Sequence, residues 1–203
     1  ALSFIISIKL PSEDVGAYNI LLTLTGLTTF LLINLNRVFA PAISKLYHEG
    51  NFFELGSLYK KTTFLTNVLT IPLAIIIATF ADEILGLYTV EMLKYKDFLF
   101  FMLVGGMLSL AAGSSGTFMI MAGLEKKELQ LQTLKAVLIT GLAFAFVSEY
   151  KMLAIVSLYV IFMLFINVSQ LIYIKKNVSI SPFSADLLKL FGLTIICMYF
   201  AIN

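Results

Sequence analysis

Charged residues are scarce in this 203-residue chain. Only 13% of its residues are Asp, Glu, Lys or Arg, whereas 60% are hydrophobic and the mean hydropathy is +0.97. Because soluble globular domains carry roughly a quarter charged residues, this composition excludes that class and predicts an integral membrane protein. The net charge of +2 also provides no basic surface of the kind that binds nucleic acid.

Cysteine and histidine are almost absent, which removes several kinds of site. Cys197 is the single cysteine, so no disulfide can form within the chain. The single histidine, His48, has no cysteine or carboxylate at metal-ligand spacing. Acidic residues lie only in predicted loops or at the ends of apolar segments, and they form no catalytic pair or triad. We therefore expect no metal ion, no cofactor and no enzymatic activity.

Six apolar segments are long enough to cross a bilayer, which takes about 20 helical residues. They cover residues 16–38, 62–81, 98–121, 129–147, 153–174 and 187–202. The sequence thus predicts an all-α, polytopic membrane helix bundle, in which residues 1–9 are the tail of a seventh span. Since that opening run is too short to cross, we expect residues 1–203 to be one lobe of a longer membrane transporter.

The segments that join the spans carry helix signals of their own. Pro41 suits the first turn of a separate helix, which Gly50 would end. Asn51, with Glu54 three residues later, predicts a capping box at the start of the next helix. Residues 82–96 alternate charged and apolar side chains, which favours an interfacial amphipathic segment over an extended loop.

Lysine and arginine are divided unequally between the two ends of the predicted bundle. Ten of the 14 lie at one end and four at the other. Because short cytoplasmic loops retain the excess of positive charge, loops 40–61, 123–128 and 175–186 are predicted to be cytoplasmic. We therefore predict a multi-pass protein of the cell membrane with these loops in the cytoplasm.

The first span is apolar on one side and polar on the other. At about 100° of arc per residue, one stripe contains Asn19, Thr23, Gly26, Asn34 and Arg37. Polar groups in hydrocarbon are costly unless they find partners or water, and we interpret the stripe as one wall of a hydrated pathway. In the alternative interpretation, the stripe packs against neighbouring helices and its amides join them.

Small residues are concentrated in the third span and fall on one side of a helix. They are Gly105, Ser109, Ala112, Gly113, Gly116 and Gly123. Such a seam allows another helix to approach closely. A second polar stripe, on the fifth span, contains Asn167 and Gln170.

Two cations lie just inside the predicted cytoplasmic boundary. Arg37 ends the polar stripe of the first span, and Lys135 lies about 10 Å inside the fourth. An arginine offers a planar fork of donors that matches phosphate oxygens, and a lysine offers a point charge. Both are candidates for binding an anionic head group. Alternatively, both extend to the interface and only fix the topology.

Three segments resemble the C-terminal half of the polysaccharide-type flippases, which belong to the superfamily of multidrug, oligosaccharidyl-lipid and polysaccharide exporters. The segments are SEDVGAYNI at 12–20, NRVFAPAISKLYHEGNFFELGSLYKKTT at 36–63 and GTFMIMAGLEKKE at 116–128. The similarity lies in their type, order and spacing, and it extends over nearly the whole chain.

The resemblance implies two six-helix lobes and two extra helices around a central cavity, with this chain as the C-terminal lobe. It also implies a substrate, a polyprenyl-diphosphate-linked oligosaccharide that alternating access moves from the inner to the outer leaflet. Arg37, with Lys135, would hold the diphosphate while the sugars pass the polar side chains of the interior. The expected partners are the bilayer, the N-terminal lobe of the same protein and glycan assembly enzymes.

Two other functions stay open at this point. A multidrug or cation extruder of the same fold would be expected to carry buried acids for coupling, and the spans of this chain show none. A non-transporting membrane assembly protein would use the polar stripes as dry helix contacts. A membrane glycosyltransferase is disfavoured, because no loop contains a cluster of acidic residues suited to catalysis.

Overall fold

Long helices make up almost the whole molecule. The computed structural model describes the backbone of residues 2–202 and the side chains of residues 5–194; Cys197 lies outside those side chains. The chain is 88% helical, and its described residues include no strand, which confirms the all-α class. The helices are α1 (Leu2–Lys9), α2 (Ser12–His48), α3 (Phe52–Thr79), α4 (Ala81–Gly86), α5 (Lys96–Leu110), α6 (Ser115–Met121), α7 (Glu125–Val178) and α8 (Ala185–Ile202).

Four segments among the described residues have the length and hydropathy to cross a membrane. They are Ser12–His48, Phe52–Thr79, Val90–Met121 and Glu125–Val178. The last contains the predicted fourth and fifth spans, which are separated by a kink at Lys151 (φ 46°, ψ −126°). We call residues 125–150 α7a and residues 152–178 α7b. The total of six spans with part of a seventh stays a prediction.

The α2–α3 hairpin differs from the predicted connector. Pro41 lies inside α2 and does not start a new helix. The helix continues through it because Pro41 is exposed, so the carbonyl that loses its helical donor there is not enclosed in an apolar core. The predicted turn is confirmed: Gly50 has φ +69°, and Asn51 Oδ1 accepts a hydrogen bond from Glu54 N at 3.2 Å.

The core consists of two apolar clusters, one towards each end of the bundle. Cluster 1 includes Leu21, Ile77, Leu99, Leu103 and Ile155. Cluster 2 includes Ile43, Leu55, Phe118, Ile174 and Ile180. Between them lies a polar layer of buried side chains from α3 and the α5–α6 junction, namely Thr62, Thr63, Thr66, Asn67, Thr70, Ser109, Ser114 and Ser115. Because lipid tails are as apolar as leucine, packing and interhelical hydrogen bonds hold such a bundle together.

The three loops predicted to be cytoplasmic meet at one end of the bundle. Ile43 and Ile180 belong to cluster 2, and Leu124 packs against it. A Cβ added at Gly56 would lie 3.6 Å from Ile180 Cγ2. Two predicted spans separate each of these loops from the next, so the spans would place all three loops on the same side of the membrane, as the grouping does. Which face of the membrane these loops occupy stays a prediction.

Polar contacts join the helices at the opposite end. Lys94 forms an ion pair with Glu13, and Tyr95 Oη donates to Asp14 Oδ1 at 2.5 Å. Residues 82–96, predicted as an amphipathic segment, contain most of α4 and a short 3₁₀ helix at Val90–Tyr95. Exposed ion pairs contribute little stability one by one, so these contacts chiefly fix the position of the segment.

The predicted third span is interrupted near its middle. Helix α5 ends at Leu110 and α6 begins at Ser115, and Gly113 between them has φ +61°, a conformation that side chains disfavour. The expected close approach is present at Gly105, where an added Cβ would lie 2.6 Å from Val160 Cγ1 of α7b. At Gly113 the neighbour is Thr63 of α3 instead. The small residues therefore admit two different helices, because the break redirects the chain.

The close approach at Gly105 predicts a specific packing defect. The change Gly105→Ala should lower the stability by about 1–3 kcal/mol, since the branched Val160 side chain cannot move aside freely. Gly141→Ala is the matched control, because a Cβ there meets nothing within 4 Å; it should be neutral or stabilising by up to about 1 kcal/mol through helix propensity. Thermal unfolding in detergent, followed by circular dichroism, measures both changes, and equal behaviour of the two variants would contradict the packing shown here.

Candidate functional site

The exposed face of α2 has polar side chains near both of its ends. Asn19 and Thr23 are exposed towards one end; towards the other, Arg37 is exposed and Asn34 is half-buried. The helical rise places Asn19 and Arg37 about 27 Å apart along the axis, close to the roughly 30 Å of hydrocarbon in a bilayer. In its most apolar stretch, 33% of the residues of α2 are buried, which is the smallest share among the four candidate spans.

The predicted polar stripe is not continuous. Phe30 is 62% exposed and Ile33 is 50% exposed, and their helical angle puts both in the same arc as Asn19 and Arg37. The stripe therefore includes two exposed apolar side chains that the sequence analysis did not consider, and its role as one wall of a hydrated pathway stays a prediction. We use the term "α2 face" for the set Asn19, Thr23, Phe30, Ile33, Asn34 and Arg37, which consists of two polar patches with an apolar middle.

The polar side chains of the α2 face bond within their own helix. Thr23 Oγ1 donates to Asn19 O at 2.8 Å, and Asn34 Nδ2 donates to Phe30 O at 2.8 Å. Such bonds satisfy donors without a neighbouring helix. A different amide of α2 makes an interhelical contact: Asn36 Oδ1 accepts a hydrogen bond from Ser114 Oγ. The α2 face is thus set apart from the helix-joining side of α2.

Arg37 is an exposed guanidinium on the α2 face. Within the part of the chain that the structure describes, no carboxylate lies within ion-pair distance of it. By contrast, Lys45, the next cation along the helix, has an acidic partner: its Nζ lies 3.8 Å from Glu49 Oε1. A guanidinium has five N–H donors and no acceptor. Arg37 can therefore direct these donors at an anion that reaches this end of α2.

Lys135 lies on a different surface from Arg37. It is half-buried on α7a, and its Nζ is 3.5 Å from Gln132 Oε1. Helix α7 packs against α1, α5 and α6, whereas α2 packs mainly against α3, α5 and α6. No hydrogen bond or shared side-chain partner among the described residues links the two cations, and their joint binding of a diphosphate stays a prediction.

A groove on α7a is a feature that the sequence analysis missed. It has a volume of about 680 Å³. Its lining consists of Gln132, Thr133, Ala136, Val137, Thr140 and Gly141. The signal was available in the sequence, because small or polar residues recur there at spacings of three and four, which place them on one helix face.

Asn167 and Gln170 lie inside the lobe and not on its open face. Gln170 Nε2 donates to both carboxylate oxygens of Glu128, at 2.8 and 2.9 Å, and its Oε1 accepts from Ser115 Oγ at 2.6 Å. Asn167 Nδ2 donates to Ser109 Oγ at 2.6 Å. These bonds join α7b to α5, α6 and the start of α7a. Of the two interpretations of polar stripes, helix joining fits these two residues.

Glu128 is the centre of this network, although the sequence analysis placed it in a charged loop. It is only 7% exposed and lies in the first turn of α7, where the helix dipole favours a carboxylate. Gln132 Nε2 also donates to its Oε1, at 2.7 Å. The available signal was the spacing from Glu128 to Leu131 and Gln132, which puts the acid on the same helix face as a buried leucine.

Comparison with known proteins gives one match. A model of the MatE family matches residues 1–119, which is more than half of the chain. The matched segment contains the whole α2 face and the α5–α6 break, whereas Lys135, Asn167 and Gln170 lie outside it. Searches of curated proteins and of solved structures find no match to the chain.

The burial of Glu128 predicts how the network responds to its loss. Glu128→Leu should destabilise the protein by about 1–3 kcal/mol, because the side-chain amides of Gln170 and Gln132 lose their acceptor. Glu128→Gln keeps one acceptor oxygen and should cost less. Glu125→Leu, an exposed acid one turn earlier, should change stability by no more than about 0.5 kcal/mol. Thermal unfolding of the three variants in detergent checks this order, and a Glu128→Leu variant as stable as Glu125→Leu would contradict it.

Proposed function

The chain belongs to the MatE family of membrane transporters, and on that premise we propose that it forms one lobe of a flippase for a lipid-linked oligosaccharide. The lobe works with a second, N-terminal lobe across a central cavity, and the α2 face lines that cavity. Rocking of the two lobes exposes the cavity first to one side of the membrane and then to the other. The proposed substrate is a polyprenyl-diphosphate-linked glycan that moves from the inner to the outer leaflet.

The exposure of Arg37 and its lack of an acidic partner among the described side chains are the observation that supports this proposal. An exposed guanidinium near the end of a span, without an acidic partner among the described side chains, suits a ligand with phosphate oxygens. The Lys and Arg count assigns this end of α2 to the cytoplasmic side, where a lipid carrier bearing its glycan would enter. Charge-assisted hydrogen bonds contribute about 1.5–3 kcal/mol each, which is enough to select a diphosphate over a neutral head group.

The rest of the α2 face has a place in the same cycle. Asn34, less than one turn from Arg37, has one side-chain N–H bonded to Phe30 O, and its second N–H and its carbonyl are offered to sugar hydroxyls. Asn19 and Thr23 meet the glycan near the opposite boundary. Phe30 and Ile33 lie between the two patches and resist continuous wetting, as alternating access requires.

The other predicted site residues act differently in this proposal. Lys135 adds positive charge at the same end of the bundle without touching the diphosphate held by Arg37, and so helps to attract an anionic substrate. Asn167 and Gln170 fix α7b against the α5–α6 break, and they influence transport through the shape of the lobe. Glycan assembly enzymes, which would supply the substrate, are the proposed cytoplasmic partners.

Drug export is the second function that family membership permits. Membership of the MatE family is equally consistent with drug export and with oligosaccharide flipping. An exporter of cationic drugs would gain from an unpaired acid facing the cavity. Helix α2 contains two acids, Glu13 and Asp14. Glu13 is paired with Lys94, and Asp14 accepts a hydrogen bond from Tyr95. The free charge on the α2 face is positive, and it favours an anionic substrate.

Transport by Arg37 variants tests the proposal. In cells that lack the native protein, lipid-linked oligosaccharide on each leaflet is quantified with wild type, Arg37→Ala, Arg37→Lys or Lys45→Ala restored at equal expression. Loss of one charge-assisted contact of about 2.7 kcal/mol corresponds to about a 100-fold slower rate. We expect inner-leaflet accumulation to be relieved by wild type and by Lys45→Ala, partly by Arg37→Lys, and hardly by Arg37→Ala.

Each other outcome removes a defined part of the proposal. If Arg37→Ala relieves the accumulation as fully as wild type, the flippase stands and the role of Arg37 is wrong. If cells without the protein accumulate no lipid-linked glycan on the inner leaflet, the substrate class is wrong. Increased sensitivity of those cells to cationic drugs would then indicate the exporter.

A further inference from the structure

Two recesses lie side by side at the end of the bundle where the three loops predicted to be cytoplasmic meet. The larger recess, of about 470 Å³, lies between the start of α3 and the loop that follows α7b. The smaller recess, of about 190 Å³, lies between α7b and the same loop. Ile180 and Ser181 border both of them. The recesses therefore flank one short piece of chain, and a single ligand of sufficient length can occupy both.

The larger recess is lined by hydrogen-bond donors that have no acceptor within the described structure. Its polar side chains are those of Ser57, Lys60, Ser179 and Ser181. None of the three serine hydroxyls donates a hydrogen bond to another described residue; the Ser181 hydroxyl only accepts one, from Phe183 N at 3.3 Å. No carboxylate belongs to this lining. Hydroxyl and ammonium donors without a carboxylate suit the oxygens of an anion.

Positive charge predominates around the two recesses. The exposed lysines there are Lys60, Lys61, Lys175 and Lys176, and none of them lies within ion-pair distance of a described carboxylate. The one acid of α3, Glu54, is about 120° away from Lys60 around the helix. Asp186, in the first turn of α8, is already paired with Lys189. The lysines of the recesses are thus available to an anion from outside the chain.

The smaller recess combines a lysine with exposed apolar side chains. Lys175 borders it, as do Val168, Ile172 and Phe183, which are exposed by 54%, 60% and 47%. Lys175 directly follows the predicted fifth span, and Val168 lies seven residues, or about 10 Å, further into that span. The smaller recess therefore extends from the level of the membrane surface into the hydrocarbon.

We infer that the two recesses bind one anionic phospholipid. The head-group phosphate occupies the larger recess at Lys60 and the serine hydroxyls, and an acyl chain begins in the smaller recess against Val168 and Ile172. Basic pockets between membrane helices on the cytoplasmic side suit anionic head groups. A zwitterionic lipid fits less well, because its own ammonium group would lie among unpaired lysines. The adjoining apolar recess favours a lipid over free phosphate.

This lipid site is separate from the α2 face and does not rest on the proposed substrate. Its residues belong to α3, α7b and the loop between α7b and α8, and Arg37 is not among them. A bound lipid would hold α3 and this loop at the membrane surface. Binding can be measured without any transport assay, so failure of the lipid site and failure of the flippase proposal are distinguishable.

Fluorescence quenching by brominated lipids tests the site. The chain contains no tryptophan, so Ile172→Trp, at an exposed position that borders the smaller recess, introduces a single reporter. The full chain is reconstituted into phosphatidylcholine vesicles in which brominated phosphatidylglycerol or brominated phosphatidylcholine replaces increasing fractions of the lipid. Each lysine near a membrane surface strengthens attraction of an anionic lipid about fivefold. With Lys60 and Lys175 both acting, quenching should indicate about a 25-fold preference for phosphatidylglycerol.

Lysine variants of the Ile172→Trp protein separate the site from the general surface charge. Lys60→Gln and Lys175→Gln should each lower the preference about fivefold, whereas Lys60→Arg should retain it. Lys126→Gln is the matched control, since Lys126 is an exposed lysine at the same end of the bundle and borders neither recess. It should leave the preference unchanged. Inorganic phosphate should displace no more phosphatidylglycerol than NaCl of equal ionic strength does.

Three results would overturn the inference. Equal quenching by the two brominated lipids would show that the recesses do not select an anionic head group. An equal effect of Lys126→Gln and Lys60→Gln would mean that only the overall surface charge attracts the lipid. Displacement by inorganic phosphate beyond the effect of NaCl would identify a phosphate site and not a lipid site. If Ile172→Trp fails to fold, Val168→Trp, one turn away on the same recess, serves as the reporter.

Discussion

Hydrocarbon offers no hydrogen bonds, and that constraint determines where every polar group of this chain is placed. Most hydroxyls and amides of the spans bond to a carbonyl of their own helix, as Thr23 and Asn34 do on α2. Others are paired across helices, as Gln170 is with Glu128. Groups that fit neither pattern are few among the described side chains, and Arg37, Thr63 and Asn67 are among them.

The exceptions are of two kinds. Arg37 is charged and exposed, so a mobile, anionic ligand or water can reach it. Thr63 and Asn67 are neutral and enclosed, and each has one side-chain oxygen without a hydrogen-bond partner. Both side chains contact the α5–α6 break, Asn67 at Leu110 and Thr63 at Gly113. The lobe therefore has hydrogen-bonded helix contacts in its interior and an exposed cation on the α2 face.

Periodicity and hydropathy predicted much of this arrangement, and tertiary packing explains what they missed. The polar ends of the α2 face follow from the helical angle of Asn19 and Arg37, and the same calculation would have revealed Phe30 between them. The break at residues 111–114 was not predicted, because a run of small residues is equally typical of a continuous helix seam. Burial of Glu128 depends on Gln170, 42 residues later, and no local pattern contains that information.

The claim at the centre of this account is that the two polar patches of the α2 face meet water and not lipid. Single cysteines at Thr23 and Asn34, in a background with Cys197 replaced by serine, can be exposed to a water-soluble maleimide in intact membranes. Ile76 and Phe101 provide the comparison, since both are exposed apolar side chains on other helices, 52% and 45% respectively. We expect rapid labelling at Thr23 and Asn34 and slow labelling at Ile76 and Phe101. Equally slow labelling at all four positions would show that lipid or a dry helix contact covers the α2 face, and would contradict a hydrated pathway.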